Sequence, residues 1–408
     1  MEYKGIEYLR KKLANKRTRV NTRYSYYEMK NATRDFGIST PPDLRYWMSS
    51  LGWCGKAVDS VADRLAFKGF KKDNFNINEI FNMNNKDIFF DSAILAALIA
   101  SCCFIYISED ETGYPRLQVI NADDATGEID PFTGLLTEGY AVLERDRNGQ
   151  PILEAYFLKG RTDYFEKGNH TTTYTNTAPY PLLVPILNRP DARRPFGRSQ
   201  ISRACMSIQG SAVRTIKRSE ISAEFYSFPQ KYILGLSEDA ELNSWKAAMS
   251  SLIAITKDKD GDIPKVGQFQ QQSMQPHIEQ LKMFAALFAG ETGLTLDDLG
   301  FATENPSSVE AIKAAHEGLR LTARKAQRTM ASGFLNVGYL SACLRDDFSY
   351  NRSQFYESVP VWEPLFEPDS SALSIIGDGA IKINQAVPGY FDKNNLAELT
   401  GIPGGEEE

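Results

Sequence analysis

Histidine is scarce in this chain: His170, His277 and His316 are the only three in 408 residues, and none has a metal-ligand companion at helical or loop spacing. There is no H-E-x-x-H, no phosphate-binding G-x-x-x-x-G-K-[ST] and no G-x-S-x-G, so the hydrolytic and nucleotide chemistries built on those motifs lack their residues. The five cysteines, Cys54, Cys102, Cys103, Cys205 and Cys343, are odd in number and scattered, which excludes a zinc ribbon and a secreted disulfide framework and fits a reducing compartment. Long apolar runs are missing too. The most apolar stretch, 93–107, is interrupted by Ser101-Cys102-Cys103 and falls short of the roughly 20 residues of a spanning helix. It reads as a buried helix running into a buried strand. Residues 1–20 hold seven Lys and Arg and no apolar segment, so a secretory signal is not expected.

Acidic residues do occur in clusters, but in poor arrangements for catalysis. Asp258, Asp260 and Asp262 begin like a calcium loop, yet the sixth position is Ile263 where glycine is needed and the twelfth is Phe269 where a bidentate glutamate should stand. A charged hairpin tip is the simpler reading. Asp123-Asp124 and Asp297-Asp298 are sequence neighbours whose side chains diverge, and His316 lies close to an apolar stripe as a packing histidine would.

What the chain has is enough apolar material, 42%, to bury a sizeable core and to build two or three domains. Its clearest pattern spans 307–344. Ser307 and Glu310 have capping-box spacing behind Asn305-Pro306, and Ile312, Leu319, Ala323, Ala326, Met330, Phe334, Val337 and Leu344 follow at helical steps. Lys313, Glu317, Arg320, Arg324 and Arg328 fall on another face. At 1.5 Å per residue this predicts a rod of roughly 55 Å, which must lean on a large core or on copies of itself.

Net charge is −6, and its distribution matters more than its sum. Between 188 and 218, Arg189, Arg193, Arg194, Arg198, Arg203, Arg214, Lys217 and Arg218 face only Asp191, whereas the chain ends in three glutamates. A solvated helix face or ion pairs to a neighbouring subunit is preferred there over phosphate contact.

In chain order, residues 1–35 are basic and tyrosine-rich without a clear period, and read as an arm that needs a partner surface. A helix is predicted over 44–67, ended by Lys68-Gly69-Phe70, then a helix through Ile94 and Leu98 entering the strand 103–107. Short alternating runs over 116–166, split by turn clusters at Asp130-Pro131 and Asn148-Gly149, predict an antiparallel meander. Prolines at 179, 181, 185, 190 and 195 mark a boundary. Helices over 197–228 and 274–292 enclose a small βα insert, and 293–308 forms an acidic loop leading into the long helix. A strand over 357–366 would most simply complete the meander, with short helices over 372–400 and a disordered end.

This order of elements resembles the portal proteins of tailed bacteriophages, in particular the gp6-like portals. Local wording carries the resemblance as well: Ser101-Cys102-Cys103-Phe104-Ile105-Tyr106-Ile107, Gly127-Glu128-Ile129-Asp130-Pro131, Pro195-Phe196-Gly197-Arg198-Ser199 and Asn305-Pro306-Ser307-Ser308. The resemblance implies an α+β portal fold with an N-terminal arm (1–35), an α/β wing (36–190, rejoined by 350–368), two stem helices (191–228 and 274–292) and a small α/β clip (229–273). A tunnel loop (293–307), a long wing helix (308–345) and a short helical crown with its tail (369–408) complete it.

It implies a ring, a dodecamer in the family, at one capsid vertex, through which terminase packages DNA and from which DNA is ejected. The implied partners are the major capsid protein, the terminase large subunit, the head-tail adaptor and double-stranded DNA passing without sequence specificity. No membrane, metal, cofactor or catalysis is implied, and the location is the virion after assembly in the host cytoplasm. Residue by residue, the tunnel loop would present Asp297, Asp298, Glu304 and Asn305 to the duplex. Arg198, Arg203, Arg214, Lys217 and Arg218 would contact DNA or neighbouring subunits, and Lys257, Asp258, Lys259 and Asp260 would meet terminase or adaptor. Two other classes compete: a metal-dependent nuclease or other phosphate-handling enzyme, which needs convergent carboxylates, and a monomeric structural scaffold.

Overall fold

The computed structural model describes residues 3–33, 46–227, 231–234, 265–268, 273–301, 314–365 and 370–400. The elements begin with α1 (Ile6–Tyr27), α2 (Trp53–Ala62), β1 (Phe67–Lys71), α3 (Ile77–Met83) and α4 (Lys86–Ala100). Eight strands follow: β2 (Cys102–Glu109), β3 (Pro115–Ile120), β4 (Ala125–Ile129), β5 (Leu136–Arg145), β6 (Pro151–Leu158), β7 (Arg161–Glu166), β8 (Asn169–Thr175) and β9 (Leu183–Leu187). Beyond them come α5 (Arg203–Ser227), β10 (Lys231–Leu234), β11 (Lys265–Gln268), α6 (Gln275–Thr292), α7 (Glu317–Arg345), β12 (Val359–Trp362), α8 (Ser370–Ala386) and α9 (Lys393–Thr400). The fold is α+β.

The core forms around α4 and β2, the stretch read above as buried helix entering buried strand. Residues 102–107 are buried on both strand faces, so β2 takes the centre of a three-stranded sheet, antiparallel to β3 on one side and β9 on the other. The meander is a separate five-stranded antiparallel sheet in chain order from β4 to β8. Two pairings differ from the sequence expectation. The run at 117–120 pairs with β2, not with the meander, because a strand buried on both faces needs both its edges filled. The late strand β12 does not complete the meander either: it pairs antiparallel with β1, Phe67 opposite Trp362 and Lys71 opposite Val359. Lys68-Gly69-Phe70 is therefore strand, and the helix before it is the shorter α2.

The long helix is not one unbroken rod from 308: a turn at His316 precedes α7, whose 29 residues still keep the predicted stripe. Leu319, Ala323, Ala326, Met330, Phe334, Val337 and Leu344 are all buried, and Phe334 packs its ring among Phe67 and Phe90 at centroid distances of 5.1 and 4.9 Å. Gly333 lets the helix lie against β9, where a Cβ would meet Ile186 Cδ1 at 2.8 Å. The Ser307 and Glu310 cap lies outside the described residues.

Residues 6–27 are not an unpaired arm but a 22-residue helix packed on its own chain. Leu9, Leu13 and Val20 are buried, and Leu9 and Leu13 share a small second core with Tyr140, Val142, Tyr156 and Leu158 on the five-stranded sheet. The helical period is hidden in the sequence because Lys16 occupies the stripe position between Leu13 and Val20. Its buried ammonium lies 3.2 Å from the Ala125 carbonyl and 4.9 Å from the Phe104 ring centroid. Burial lowers the Lys16 pKa.

Candidate functional site

Two helices carry the mid-chain region. Ser202, just before α5, donates to Glu291 near the end of α6 at 2.8 Å, and Thr215 donates to Gln280 at 2.9 Å, so the helices run antiparallel. Near the core the pair buries Cys205, Ala212, Ala285 and Phe288, while Ile278, Met283 and Leu287 of α6 are about half exposed. At its far end the pair leads to β10 and β11, which pair antiparallel from Lys231 opposite Gln268 to Leu234 opposite Lys265.

The connection into this pair is tightly specified. Gly197 has φ +77°, and a Cβ there would lie 2.1 Å from the Asn188 carbonyl oxygen. Arg198 N–H donates to that carbonyl at 2.8 Å, and Asn188 Nδ2 returns a bond to the Arg198 carbonyl at 2.8 Å. Ser199 Oγ and the Gln200 N–H donate to the Ile99 and Leu98 carbonyls, satisfying acceptors that the end of α4 leaves open. Residues 197–201 thus cap α4 before α5 begins at Arg203, six residues later than the sequence pattern suggested.

The five basic residues singled out there fall into different settings. Arg198 lies before the helix and pairs with Asp191 at 2.6 Å, which holds the Asp191 carboxyl below its usual pKa. Arg203 is exposed at the start of α5. Arg214, Lys217 and Arg218 are half-buried along α5, with Arg214 Nη2 donating to Ser211 Oγ at 2.8 Å. The same helix carries Glu220, which accepts from Trp47 Nε1 at 2.8 Å and Ser49 Oγ at 2.6 Å and so ties the 46–49 segment to α5.

After α6, Asp297 opens a short 3-10 turn and is exposed. Asp298 is turned back into the loop. It accepts from Thr295 N–H and Oγ1, both at 2.9 Å, and its Oδ2 lies 3.8 Å from His316 Nδ1. His316 is the residue before α7, so the turn that Asp298 closes lies beside the start of the long helix. Of the neighbouring acids, Asp297 therefore faces outward and Asp298 shapes the turn. Glu304, Asn305, Lys257, Asp258, Lys259 and Asp260 lie outside the described residues.

Among the described residues no group of three or more His, Cys, Asp and Glu side chains could hold a metal ion, and no helix is long and apolar enough to cross a membrane. One cluster was read from the sequence only as part of a polar helix face, without Lys325 and without a site assigned to it. Arg324, Lys325 and Arg328 are exposed together on α7. Their i, i+1, i+4 spacing with no intervening acid was the available signal.

No family model matches the chain. It is 26% identical over 321 residues to the portal protein of Mycobacterium phage L5, covering 72% of this chain and 65% of that one. The portal protein of Mycobacterium phage D29 is 26% identical over 330 residues, 75% of this chain and 67% of the relative. The chain thus spans 65% and 67% of the lengths of these curated relatives. Among solved structures, a chain from the neck of a native gene transfer agent particle with C12 symmetry is 15% identical, with coverage of 95% and 100% and a TM-score of 0.47. A chain from the virion of that kind of particle is 14% identical, with the same coverage and TM-score.

Proposed function

We propose, from the likeness to two mycobacteriophage portal proteins, that this chain is a portal protein: the subunit of a ring at one capsid vertex through which DNA enters during packaging and leaves at ejection. The observation that carries the reading is the 26% identity over 321 aligned residues. The antiparallel pair α5 and α6, leaving the core and ending in a small β pair, supports a stem leading to a clip. The meander, the three-stranded sheet and α1 to α4 would be the wing, α7 would cross it, and α8 and α9 would be a short crown.

In this reading the protein guides and does not catalyse. Each neutralised phosphate releases counterions and adds affinity, so a bore lined throughout with Lys and Arg would hold the duplex instead of passing it. In a ring, one residue per subunit becomes a circle of charge. Asp297, exposed at the loop, would repel the DNA backbone and keep the duplex centred, with Glu304 as its expected companion. Asp298 would keep the loop in shape. The stem cations would contact subunits or DNA, and residues 257–260 would meet terminase during packaging and the adaptor afterwards. The capsid protein would surround the ring, and assembly would take place in the host cytoplasm.

The test is whether the purified chain closes into annular particles, seen by negative-stain microscopy, with a mass near twelve times 45.7 kDa. Single 45.7 kDa particles at high concentration, with and without capsid components, overturn the reading. Asp297→Lys should leave rings intact and reduce packaged DNA; unchanged packaging removes the loop's role in passage.

A further inference from the structure

On the solvent side of α7, two clefts of about 490 and 510 Å³ flank the helix. One is lined by Arg324, Arg328, Ser332 and Arg352 beside Trp362 of β12. The other is lined by Arg189, Lys325, Arg328, Thr329 and Ser332, with Thr133 across from them. Arg328 and Ser332 border both, so the helix is a ridge between two halves of one basic surface. Among the described residues no carboxylate lines either cleft. Among the described residues none of Arg189, Arg324, Lys325, Arg328 and Arg352 forms an ion pair, although Arg320 one turn earlier is paired with Glu317 at 2.7 Å. Arg352 is held by Asn336, whose Oδ1 accepts from Nε at 2.7 Å.

We propose that this ridge, with its two clefts, is a binding site for the phosphodiester backbone of a nucleic acid. Placing like charges at i and i+4 on an exposed helix is unfavourable, and a chain of net charge −6 holds many carboxylates that could have relieved it. The lining instead combines guanidinium, ammonium and hydroxyl donors, the set that serves phosphate oxygens. A single acidic side chain would need one of these cations. Five cations on both flanks of a helix suit a continuous line of charge. Arg324 and Arg328 are about 6 Å apart along the axis, close enough to bind one strand together. None of the loop acids and none of the α5 cations lines either cleft. It deepens the portal reading and rests on it for the identity of the polyanion as packaged double-stranded DNA.

The probe is a fluorescein-labelled 30-base-pair duplex, titrated against the full chain over a range of salt concentrations. A variant with Arg324→Gln, Lys325→Gln and Arg328→Gln is compared with a charge-matched control, Arg147→Gln, Lys159→Gln and Lys167→Gln. With about 0.9 of a log unit of salt slope per neutralised phosphate, the ridge variant should bind at least about tenfold more weakly near 0.1 M salt and lose roughly 2 to 3 from its slope. The control should keep the parent slope. Parent affinity and slope in the ridge variant overturn the proposal, as does an equal loss in the control. A labelled poly-glutamate peptide is titrated in parallel; if the ridge variant loses that peptide but keeps the duplex, the occupant is an acidic protein segment and the proposal falls. Ring formation of each protein is recorded separately, so rings with unaltered duplex binding defeat this inference alone, whereas a parent chain that forms no ring defeats the portal reading.

Discussion

The Arg10 guanidinium grips the Glu154 carboxylate through two bonds, Nη2 to Oε2 at 2.8 Å and Nε to Oε1 at 3.1 Å, and so fastens the N-terminal helix to the middle of the five-stranded sheet. Glu154 is buried, and the Tyr140 hydroxyl donates to it as well. Removing the cation leaves a buried carboxylate with a single neutral donor. Because the Arg10 side chain keeps 25% exposure, the full cost of breaking a buried pair is reduced by solvent, and Arg10→Ala should destabilise the chain by about 1–3 kcal/mol. Urea unfolding measures this, and limited proteolysis should show new cuts within 6–27. An unchanged midpoint would mean that the Arg10–Glu154 pair adds nothing to the hold that Leu9, Leu13, Val20 and the Lys12 and Lys16 contacts already provide.

Acid should loosen the same helix through a different contact. Burial raises the pKa of Glu128, but hydrogen bonds from Lys12 and Lys4 outweigh it and leave the group below its usual range. A carboxylate with a lowered folded pKa stabilises fully above the unfolded value of about 4.3 and loses that contribution as pH falls through the folded value. Glu128→Gln should therefore be less stable than the parent at pH 7, with the difference closing below about pH 4. Urea midpoints over this range test it; a difference of the same size at pH 7 and pH 3 contradicts the linkage.

Gly197→Ala should be costly for a residue on a connecting segment. The new methyl would have to occupy space 2.1 Å from the Asn188 carbonyl oxygen, at φ +77°, so backbone must move and the bonds that cap α4 go with it. The expected loss is about 2–4 kcal/mol or a failure to express in soluble form. Gly149→Ala supplies the comparison, since φ is again +77° but nothing lies within 4 Å, and only the conformational cost of about 1 kcal/mol applies.

The five cysteines should be silent in the folded protein. All are buried and unbridged, and burial pushes the thiol of Cys343 up to about 11 and those of Cys54, Cys103 and Cys205 above their ordinary value. A thiol reagent at pH 8 should label none in the native state and all five in denaturant. Rapid native labelling of any one would show that the core around it opens on the time scale of the reagent.

The elements that could be read from the chain were those whose signal is local. The stripe from Leu319 to Leu344 survives in α7 because an amphipathic helix buries one face whatever it packs against. The apolar stretch at 93–107 became α4 and β2 for a similar reason. The N-terminal helix was hidden because Lys16 breaks the stripe. Only a partner surface with a carbonyl and two aromatic faces makes a lysine acceptable there. Among candidate site residues, Asp297 and Asp298 look alike in sequence, and the bonds that turn Asp298 into the loop come from Thr295.

The amino-acid order by itself determined the α+β class, the presence of the mid-chain and long helices though not where they start, and the resemblance to portal proteins, since these depend on periodicity and on the succession of elements. Tertiary structure alone decided that β12 joins β1 and that β3 leaves the meander for β2. It also brought Arg189 and Arg352 to either side of the α7 cations. Strand partners, and the distant cations that join the α7 cluster, are set by contacts between residues far apart in the chain, and no local pattern records them.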